Sequence, residues 1–222
     1  MKNLQATKPK RLVKAGQIWQ LGDHRLACGS SLDAELVNRL IGDSKINAII
    51  TDPPYAEDSL PLYSDLAKIA SYLLKPNKSL LVISGLMYLP RLLNRLGEYL
   101  SYQWVISLKI GNGTVRVWDR KVCQAWKPIL WFVKGKYDGD WVTDFIRSEK
   151  MEKGIDDWQQ PEAVTTKLLG FFTKPDDVIL DPMMGTGTTG VSASANGRQF
   201  IGYELDQARF DVANGRLSNV FN

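Results

Sequence analysis

The chain has 222 residues, of which 44% are hydrophobic and 23% are charged, and its formal net charge is +4. These proportions are those of a globular domain with a buried core, so they exclude disordered and fibrous proteins. The single histidine and the two cysteines, Cys28 and Cys123, cannot form a disulfide framework or a thiolate zinc site, and we predict no metal site. No apolar run reaches about 18 residues and none resembles a signal peptide, which predicts a cytoplasmic protein without a membrane partner.

Short β-branched runs alternate with longer segments of helical periodicity, a pattern that predicts parallel strands connected by helices. We therefore predict an α/β fold with an open, mostly parallel, twisted sheet flanked by helices, in a single domain over residues 1–222. In chain order the predicted elements are a helix at Ala34–Ile41, a strand at Ile46–Thr51, a helix at Leu62–Leu74, a strand at Ser79–Ser84, a helix at Tyr88–Tyr99, strands at Tyr102–Leu108 and Ile129–Val133, a helix at Glu162–Phe172, a strand at Val178–Asp181, a helix at Thr189–Asn196, a strand at Gln199–Tyr203 and a helix at Gln207–Leu217.

Two segments, Lys109–Lys127 and Gly135–Gln160, show no clear periodicity and are predicted to be loops. Loops of that length are usually functional or mobile. The positive charge of the chain is concentrated here, because residues 109–136 hold seven Lys and Arg against one acid, whereas the rest of the chain is net negative. Clustered cations attract polyphosphates such as nucleic acids, although a solvated loop gives the same composition.

Two of the predicted strands end in the same dipeptide. The strand Ile46–Thr51 runs into Asp52-Pro53, and the strand Val178–Asp181 runs into Pro182. In open parallel sheets, ligands bind outside the carboxyl ends of the strands, where the strand order reverses. If these two strands are neighbours at that point, both Asp-Pro corners face one cleft.

A glycine-rich turn, residues 185–190, follows the second of these strands and opens a helix, so its backbone can approach a ligand closely. No Gly-Lys-Ser/Thr sequence follows, which disfavours a P-loop nucleoside triphosphatase. The next strand ends near Glu204, whose carboxylate is placed to accept hydrogen bonds from ribose hydroxyls. A connecting turn with incidental glycines is the alternative.

The other corner has the sequence Asp-Pro-Pro-Tyr. Pro53 and Pro54 fix two φ angles and remove two backbone donors, so the turn is stiff and offers acceptors: the Asp52 carboxylate and the neighbouring carbonyls. Tyr55 adds a flat ring. Such a set suits a planar group that bears an NH2, such as a nucleobase, held by acceptors and stacked on the ring. An ordinary rigid turn has the same sequence requirements.

Together, three segments resemble the amino-group DNA methyltransferases that act on adenine N6 or cytosine N4. They are Asp-Pro-Pro-Tyr at 52–55, Asp-Pro-x-x-Gly-Thr-Gly-Thr-Thr at 181–189 and Gly-Tyr-Glu at 202–204. Their order resembles the permuted β group of the family, and the similarity extends from Trp19 to Leu217. The resemblance implies a Rossmann-like methyltransferase fold with circularly permuted motif order, S-adenosylmethionine as cofactor, and a site-specific enzyme of restriction–modification.

Within that family, the Asp-Pro-Pro-Tyr form is more usual in adenine enzymes. The resemblance therefore implies methyl transfer to adenine N6 in double-stranded DNA, with one base flipped out of the helix. The alternatives are a cytosine N4 enzyme, an RNA adenine enzyme, and a degenerate module that binds DNA and cofactor without turnover.

The resemblance also implies roles for individual residues. Asp52 and the Pro53 carbonyl would accept the amino hydrogens of the target base, and Tyr55, after Pro54, would stack on it. Glu204 would bind the ribose of the cofactor. The methionine part of the cofactor would lie on Asp181, Pro182, Gly185, Thr186, Gly187 and Thr188, and its adenine near Cys28 and Ser30.

Three positions depart from the family pattern. Ser30 stands where Asp is usual, Met183 stands where Phe is usual, and the segment Asp157–Pro161 lacks the family's His. We expect these departures to change cofactor affinity rather than the type of reaction.

Residues 109–160 are predicted to form the target-recognition region. We expect DNA contacts from the cations Lys109, Arg116, Arg120 and Lys121. Three of the tryptophans in this region, Trp118, Trp126 and Trp131, are predicted to be packing residues. A recognition region this short is compatible with a homodimer that embraces the duplex.

Overall fold

The computed structural model describes residues 15–148 and 161–220, and a nine-stranded sheet organises them. The strand order is β1-β2-β11-β10-β3-β4-β8-β5-β9. Strands β1 and β8 run antiparallel to their neighbours and the other contacts in the sheet are parallel. The strands are β1 Ile18–Leu21, β2 His24–Cys28, β3 Ile46–Thr51, β4 Leu74–Ile83, β5 Ser101–Ile110, β6 Val115–Val117, β7 Val122–Gln124, β8 Lys127–Val133, β9 Phe145–Ser148, β10 Val178–Asp181 and β11 Gln199–Glu204.

The helices cover both faces of this sheet, and their ends follow from local sequence. Asp33 caps the first helix, because its carboxylate accepts the backbone N–H groups of Glu35 and Leu36. Pro61 lies in the first turn of the second helix, where its missing N–H costs no hydrogen bond. The helices are α1 Ala34–Ile41, α2 Leu60–Leu73, α3 Leu89–Leu96, α4 Glu162–Phe172, α5 Thr188–Ala195 and α6 Gln207–Val220.

Two hydrophobic clusters, one on each face of the sheet, form the core. All six residues of β3 are buried, and alternate side chains enter different clusters: Ala48 and Ile50 join one, and Ile49 joins the other. A strand buried on both faces reads as a continuous apolar run, which is why the sequence Ile-Asn-Ala-Ile-Ile-Thr is recognisable. The core therefore fixes β3 in the centre of the molecule.

The strand order reverses between β3 and β10. From β3 the chain crosses through α2 to β4 on one side, and from β10 it crosses through α5 to β11 on the other. β3 and β10 pair in parallel, with Ala48 opposite Ile179 and Ile49 opposite Leu180. Their carboxyl ends, which precede the two Asp-Pro corners, are therefore adjacent. This arrangement confirms the predicted neighbourhood of the two strands.

The predicted fold class is confirmed, and four elements, α1, β3, α4 and β10, have the predicted bounds. The predicted helix Tyr88–Tyr99 is shorter in the structure, since α3 ends before Gly97. The strands β1 and β2 at one end of the sheet were not predicted as such. No helix in residues 15–148 and 161–220 is long and apolar enough to cross a bilayer.

The two predicted loops contain regular structure. The segment Lys109–Lys127 holds a separate antiparallel hairpin of β6 and β7, and Gly135–Gln160 holds the edge strand β9. The loop prediction is wrong at these places because the strands are short: three residues each in the hairpin and four in β9. Of the segment Asp157–Pro161, which lacks the family's His, residues 157–160 lie outside the described residues.

Candidate active site

A cleft of about 1370 Å³ opens at the carboxyl ends of β3 and β10, and both Asp-Pro corners line it. One side is formed by residues 52–56, and the facing side by residues 181–186 with Glu204. The prediction that the two corners face one cleft is confirmed. A single ligand pocket usually measures about 300–1000 Å³, so this cleft has room for two reactants side by side.

Two positions of the glycine-rich turn have backbone angles that favour glycine. Gly185 and Gly187 have φ angles of +54° and +82°, in the left-handed region. A Cβ atom on Gly187 would lie 2.9 Å from the Cβ of Ala213 in α6, so the turn packs directly on that helix. The turn is thereby held at the cleft without a side chain between its backbone and a ligand.

Glu204 joins this turn to the end of β11. Its Oε2 accepts the Gly185 N–H at 2.8 Å, and its Oε1 accepts the Asp206 N–H at 2.8 Å. The side chain is 9% exposed and lines the cleft. Because each carboxylate oxygen has two lone pairs, the carboxylate is fixed in place and still able to accept hydrogen bonds from a ligand.

Asp181 is buried inside its own turn, with 3% of its surface exposed. Its Oδ2 accepts the Thr189 hydroxyl at 2.7 Å, and its Oδ1 accepts the Met183 N–H at 3.1 Å. Burial raises the pKa of Asp181 to about 7, although these hydrogen bonds oppose the rise. The carboxyl group thus ties the end of β10 to the start of α5.

The Asp-Pro-Pro-Tyr corner is more open. Asp52 and Tyr55 are half-buried, and the Tyr55 hydroxyl donates a hydrogen bond to Asp52 Oδ1. Burial, and then the charge of Asp52, raises the pKa of Tyr55 far above its usual range, so the phenol stays protonated and remains a donor. From below, the hydroxyl of the buried Tyr63 donates to the Pro54 carbonyl at 3.1 Å, which fixes the corner on α2.

Two residues that sequence reasoning missed complete this corner. Gly85, after β4, lies beneath the Tyr55 ring, since a Cβ atom there would be 3.4 Å from Tyr55 Cδ2. Lys127, at the start of β8, places its Nζ 5.3 Å from the centre of the same ring and lines the cleft. Neither residue belongs to a local motif, so only the tertiary contact identifies it.

A third missed residue is Arg216 of α6. Its Nη1 donates to the Thr186 carbonyl at 2.7 Å, and its Nη2 forms an ion pair with Glu162 at 2.6 Å. Arg216 therefore links the glycine-rich turn to α4 and α6. The sequence contains no signal for this contact, because Glu162 lies 54 residues away.

Of the two residues predicted near the cofactor's adenine, only Ser30 lines the cleft. Its Oγ accepts the Leu32 N–H at 3.1 Å. Cys28 is 2% exposed and lies behind the lining residues, and burial raises the pKa of its thiol. The other cysteine, Cys123, is exposed on β7.

The four cations predicted to contact DNA differ in location and exposure. Arg116, Arg120 and Lys121 are exposed on the hairpin of β6 and β7, whereas Lys109 is half-buried on β5. Because Leu108 and Ile110 line the cleft and side chains alternate along a strand, Lys109 lies on the opposite face.

The prediction that Trp118, Trp126 and Trp131 are packing residues is confirmed only in part. Trp131 is buried, and its Nε1 donates to Ser79 Oγ at 3.0 Å. Trp126 is half-buried and lines the cleft. For Trp118 the prediction is wrong, because it lies at the tip of the hairpin with 76% of its surface exposed. The hairpin has no buried face of its own in which to place the ring.

The sequence model of the N6/N4 DNA methylase family matches residues 46–215, most of the chain. The chain belongs to this family. The match includes both Asp-Pro corners, the glycine-rich turn and Glu204. The resemblance on which the site residues were predicted is therefore confirmed at the level of the family.

Individual relatives agree with this assignment. The type II methyltransferase M.HinfI of Haemophilus influenzae is 26% identical over 82% of this chain, and M2.LlaDCHI of Lactococcus lactis subsp. cremoris is 35% identical over 39% of it. The chain spans 66% of the length of M.HinfI and 33% of M2.LlaDCHI.

Solved structures share the fold. The crystal structure of an M1.HpyAVI–SAM complex superposes with a TM-score of 0.69, at 26% identity, over 85% of this chain and 97% of that one. The PvuII cytosine-N4-specific DNA methyltransferase superposes with a TM-score of 0.73, at 18% identity, over 89% and 90% of the two chains. The second likeness concerns the fold alone.

Proposed function

We propose that this N6/N4 DNA methylase transfers a methyl group from S-adenosylmethionine to the N6 amino group of adenine in double-stranded DNA. The observation that supports this best is the single cleft lined by an acceptor-rich Asp-Pro-Pro-Tyr corner and by a glycine-rich turn with Glu204. One corner suits an amino group on a flat base, and the other suits a nucleoside-like cofactor.

The residues present fit S-adenosylmethionine. Glu204 offers a fixed carboxylate with lone pairs for two ribose hydroxyls. Gly185 lines the cleft and has no side chain to intrude on a ligand there. Ser30 lines the same end of the cleft. The SAM complex of M1.HpyAVI, a structural relative at 26% identity, supports the same cofactor here. When bound, this cofactor supplies a methyl group on a positively charged sulfur.

Asp52 and the Pro53 carbonyl would hold the target amino group. The lone pair of an adenine amino group is delocalised into the ring, so the group is a poor nucleophile. Two acceptors placed off the ring plane draw its hydrogens toward them and localise the lone pair on nitrogen. As the methyl group passes to the amino nitrogen, its bond to sulfur would break with the electron pair left on sulfur, and Asp52 would accept the proton that the nitrogen gives up.

Tyr55 would stack on the extruded base. Its ring is already oriented, because Gly85 lies beneath it and its hydroxyl donates to Asp52. Extrusion of a base from a duplex costs a few kcal/mol, and stacking on an aromatic side chain returns about 1–3 kcal/mol. A pre-oriented ring therefore offsets much of the cost of base flipping.

The described part of the proposed recognition region, residues 109–148, would contact the duplex. The hairpin of β6 and β7 presents Arg116, Arg120 and Lys121 to solvent beside the cleft, a suitable set for phosphate and base contacts. A homodimer that places two such hairpins on one duplex is part of the same proposal. The type II methyltransferase M.HinfI, a relative, supports a place in restriction–modification.

The test is to incubate the full chain with methyl-labelled S-adenosylmethionine and duplex DNA, and to digest the product to nucleosides. We expect label in N6-methyladenine. Label in N4-methylcytosine would contradict the choice of base, label in RNA alone would contradict the choice of nucleic acid, and no transfer would contradict the activity. Sequencing of methylated positions in DNA from cells that express the chain then gives the target sequence.

A further inference from the structure

The hairpin of β6 and β7 stands apart from the core. It forms a two-stranded sheet of its own, and two of its three valines are open to solvent: Val115 is 69% exposed and Val122 is 52% exposed. A hairpin of two strands is only marginally stable in water unless something packs against it. Because nothing in residues 15–148 and 161–220 covers these valines, the hairpin offers them to a partner.

The charge of the hairpin indicates the chemistry of that partner. Between Val115 and Gln124 the chain has three cations, Arg116, Arg120 and Lys121, and one acid, Asp119. All four are exposed. A two-stranded ribbon with excess positive charge has the width that the major groove of DNA admits and the sign that its phosphates attract.

Trp118 is the outermost large side chain of the hairpin. It is the first residue after β6, and the Lys121 N–H closes the turn on its carbonyl at 3.2 Å, with Lys121 in the left-handed region at φ 52°. The Arg116 guanidinium lies 5.6 Å from the centre of the Trp118 ring. The ring is therefore held outward by the turn and steadied by a cation, rather than folded back on the core.

The base of the hairpin is part of the cleft. Val115 and Gln124, which pair across β6 and β7, both line it. Trp118 follows Val115 by three residues, which at the rise of a strand is about 10 Å. The exposed ring thus stands at the end of a short arm that begins at the wall of the site where the target base would enter.

We propose that Trp118 enters the base stack of the duplex at the position from which the target base is extruded. This inference rests on the proposed function. A flipped base leaves a gap whose neighbouring bases have lost a stacking partner, and an apolar ring inserted there restores the contact and holds the gap open. Trp118 is a positioning residue in this account, because it acts on the duplex and touches neither the cofactor nor the amino group.

The experiment compares Trp118→Ala with the wild type on two duplexes that contain the mapped target sequence. In one duplex the target adenine is paired with thymine, and in the other it faces a mismatched base and is already poorly stacked. Trp118→Phe is the conservative variant. Tyr72→Ala is the matched control, because Tyr72 is an exposed aromatic residue on α2, outside both the cleft and the proposed recognition region.

If Trp118 fills the gap, Trp118→Ala lowers kcat/KM on the paired duplex by roughly 10- to 100-fold, the equivalent of one lost aromatic stack. On the mismatched duplex the loss falls below about 3-fold, since little extrusion cost remains to be offset. Trp118→Phe retains most activity on both duplexes, and Tyr72→Ala behaves as the wild type. A 2-aminopurine at the target position becomes fluorescent with the wild type and much less so with Trp118→Ala.

Equal losses of kcat/KM on the paired and mismatched duplexes would overturn the inference. The loss of a phosphate contact, or a folding defect, lowers kcat/KM to the same extent whether or not the target adenine is paired. No loss on the paired duplex would overturn it as well. If the wild type transfers no methyl group to any DNA, the proposed function fails first, and the inference with it. Thermal unfolding of each variant, with the exposed ring expected to contribute little, checks that the fold is unchanged.

Discussion

The two corners of the cleft begin with the same dipeptide and serve different purposes. At Asp181-Pro182 the glycine-rich chain folds back over the carboxyl group, which is buried and accepts hydrogen bonds from Thr189 and Met183. At Asp52-Pro53 a second proline and Tyr55 follow, the chain cannot fold back, and the carboxylate stays half-buried at the cleft.

The comparison indicates that the residues after an Asp-Pro pair decide its role. After Asp181 the glycines let the chain fold back, so the aspartate holds the end of β10 to the start of α5. Prolines keep the aspartate at the surface as an acceptor for a ligand. An Asp-Pro dipeptide at the ends of two neighbouring strands therefore predicts a shared cleft, but it does not predict the same role for the two aspartates.

The largest expected effect is on the open corner. Asp52→Ala removes the acceptor proposed to hold the amino group, so we expect methyl transfer to fall by about 100- to 1000-fold, comparable to the loss of a main electrostatic contact in other enzymes. Cofactor affinity, measured by calorimetry, should stay within about 3-fold of the wild type. Asp58→Ala, an exposed aspartate nearby, is the control. Unchanged turnover in Asp52→Ala would end the catalytic assignment of Asp52.

The next effect concerns the closed corner and its backbone. Gly187→Ala places a methyl group 2.9 Å from Ala213 at a φ of +82°, so we expect the turn to shift and cofactor affinity to fall at least about 10-fold. Gly197→Ala is the matched control, because Gly197 also has a positive φ but no atom lies within 4 Å of its Cβ position. Both variants lose about 1–2 kcal/mol of stability through backbone strain.

Only Gly187→Ala should impair cofactor binding in the calorimeter. If Gly197→Ala impairs it equally, loss of global stability explains the result and the close contact of the turn with α6 does not. If neither variant impairs it, the glycine-rich turn is not the cofactor surface.

A smaller effect follows from the buried carboxyl group. Because burial raises the pKa of Asp181 to about 7 in the folded state, the folded protein holds a proton there that the unfolded chain releases near pH 4. This group therefore favours folding below about pH 4, and its contribution is lost as the pH rises toward 7, by up to about 4 kcal/mol.

Asp181→Asn removes that titration and keeps the shape of the side chain. Urea unfolding between pH 4.5 and pH 8 should show a shallower decline of the free energy of unfolding with pH in the variant than in the wild type. Asp119→Asn, on the exposed hairpin, controls for the loss of a carboxylate elsewhere. Parallel pH profiles for Asp181→Asn and the wild type would contradict a raised pKa at the closed corner.

The smallest effect per residue is expected on DNA binding, from the cations of the hairpin outside both corners. Replacing Arg116, Arg120 and Lys121 by Ala should weaken DNA binding and lower the slope of log K against log salt by about 3, close to one per phosphate contact. A variant with Arg39, Lys68 and Lys174 replaced has the same change of charge on surfaces away from the cleft. An equal change of slope in both variants would assign the effect to net charge rather than to the hairpin.

The centre of the fold could be predicted from the sequence, and the periphery could not. β3 and β10 are continuous apolar runs that end in Asp-Pro, so their place in a parallel sheet and the shared cleft followed from their composition. The strands β6, β7 and β9 have three or four residues, mostly exposed on the hairpin, and such segments have no periodicity to detect.

The site shows the same division. Asp52, Tyr55, Gly185 and Glu204 belong to contiguous motifs, and the cleft brings them together. Gly85, Lys127 and Arg216 reach the site through packing between distant elements, which a single sequence does not reveal. The prediction that Trp118 is a packing residue is wrong, and only the geometry of the hairpin shows that its ring is exposed.

The positions of the two thiols have a practical consequence. Cys28 is closed off in the core and its pKa is raised, so it reacts poorly with alkylating dyes, whereas Cys123 is exposed and lies opposite Arg116 on the hairpin. The unmodified polypeptide can therefore be labelled at one chosen place, without engineering. An environment-sensitive fluorophore at Cys123 would report the binding and dissociation of a DNA duplex in real time, independently of methyl transfer.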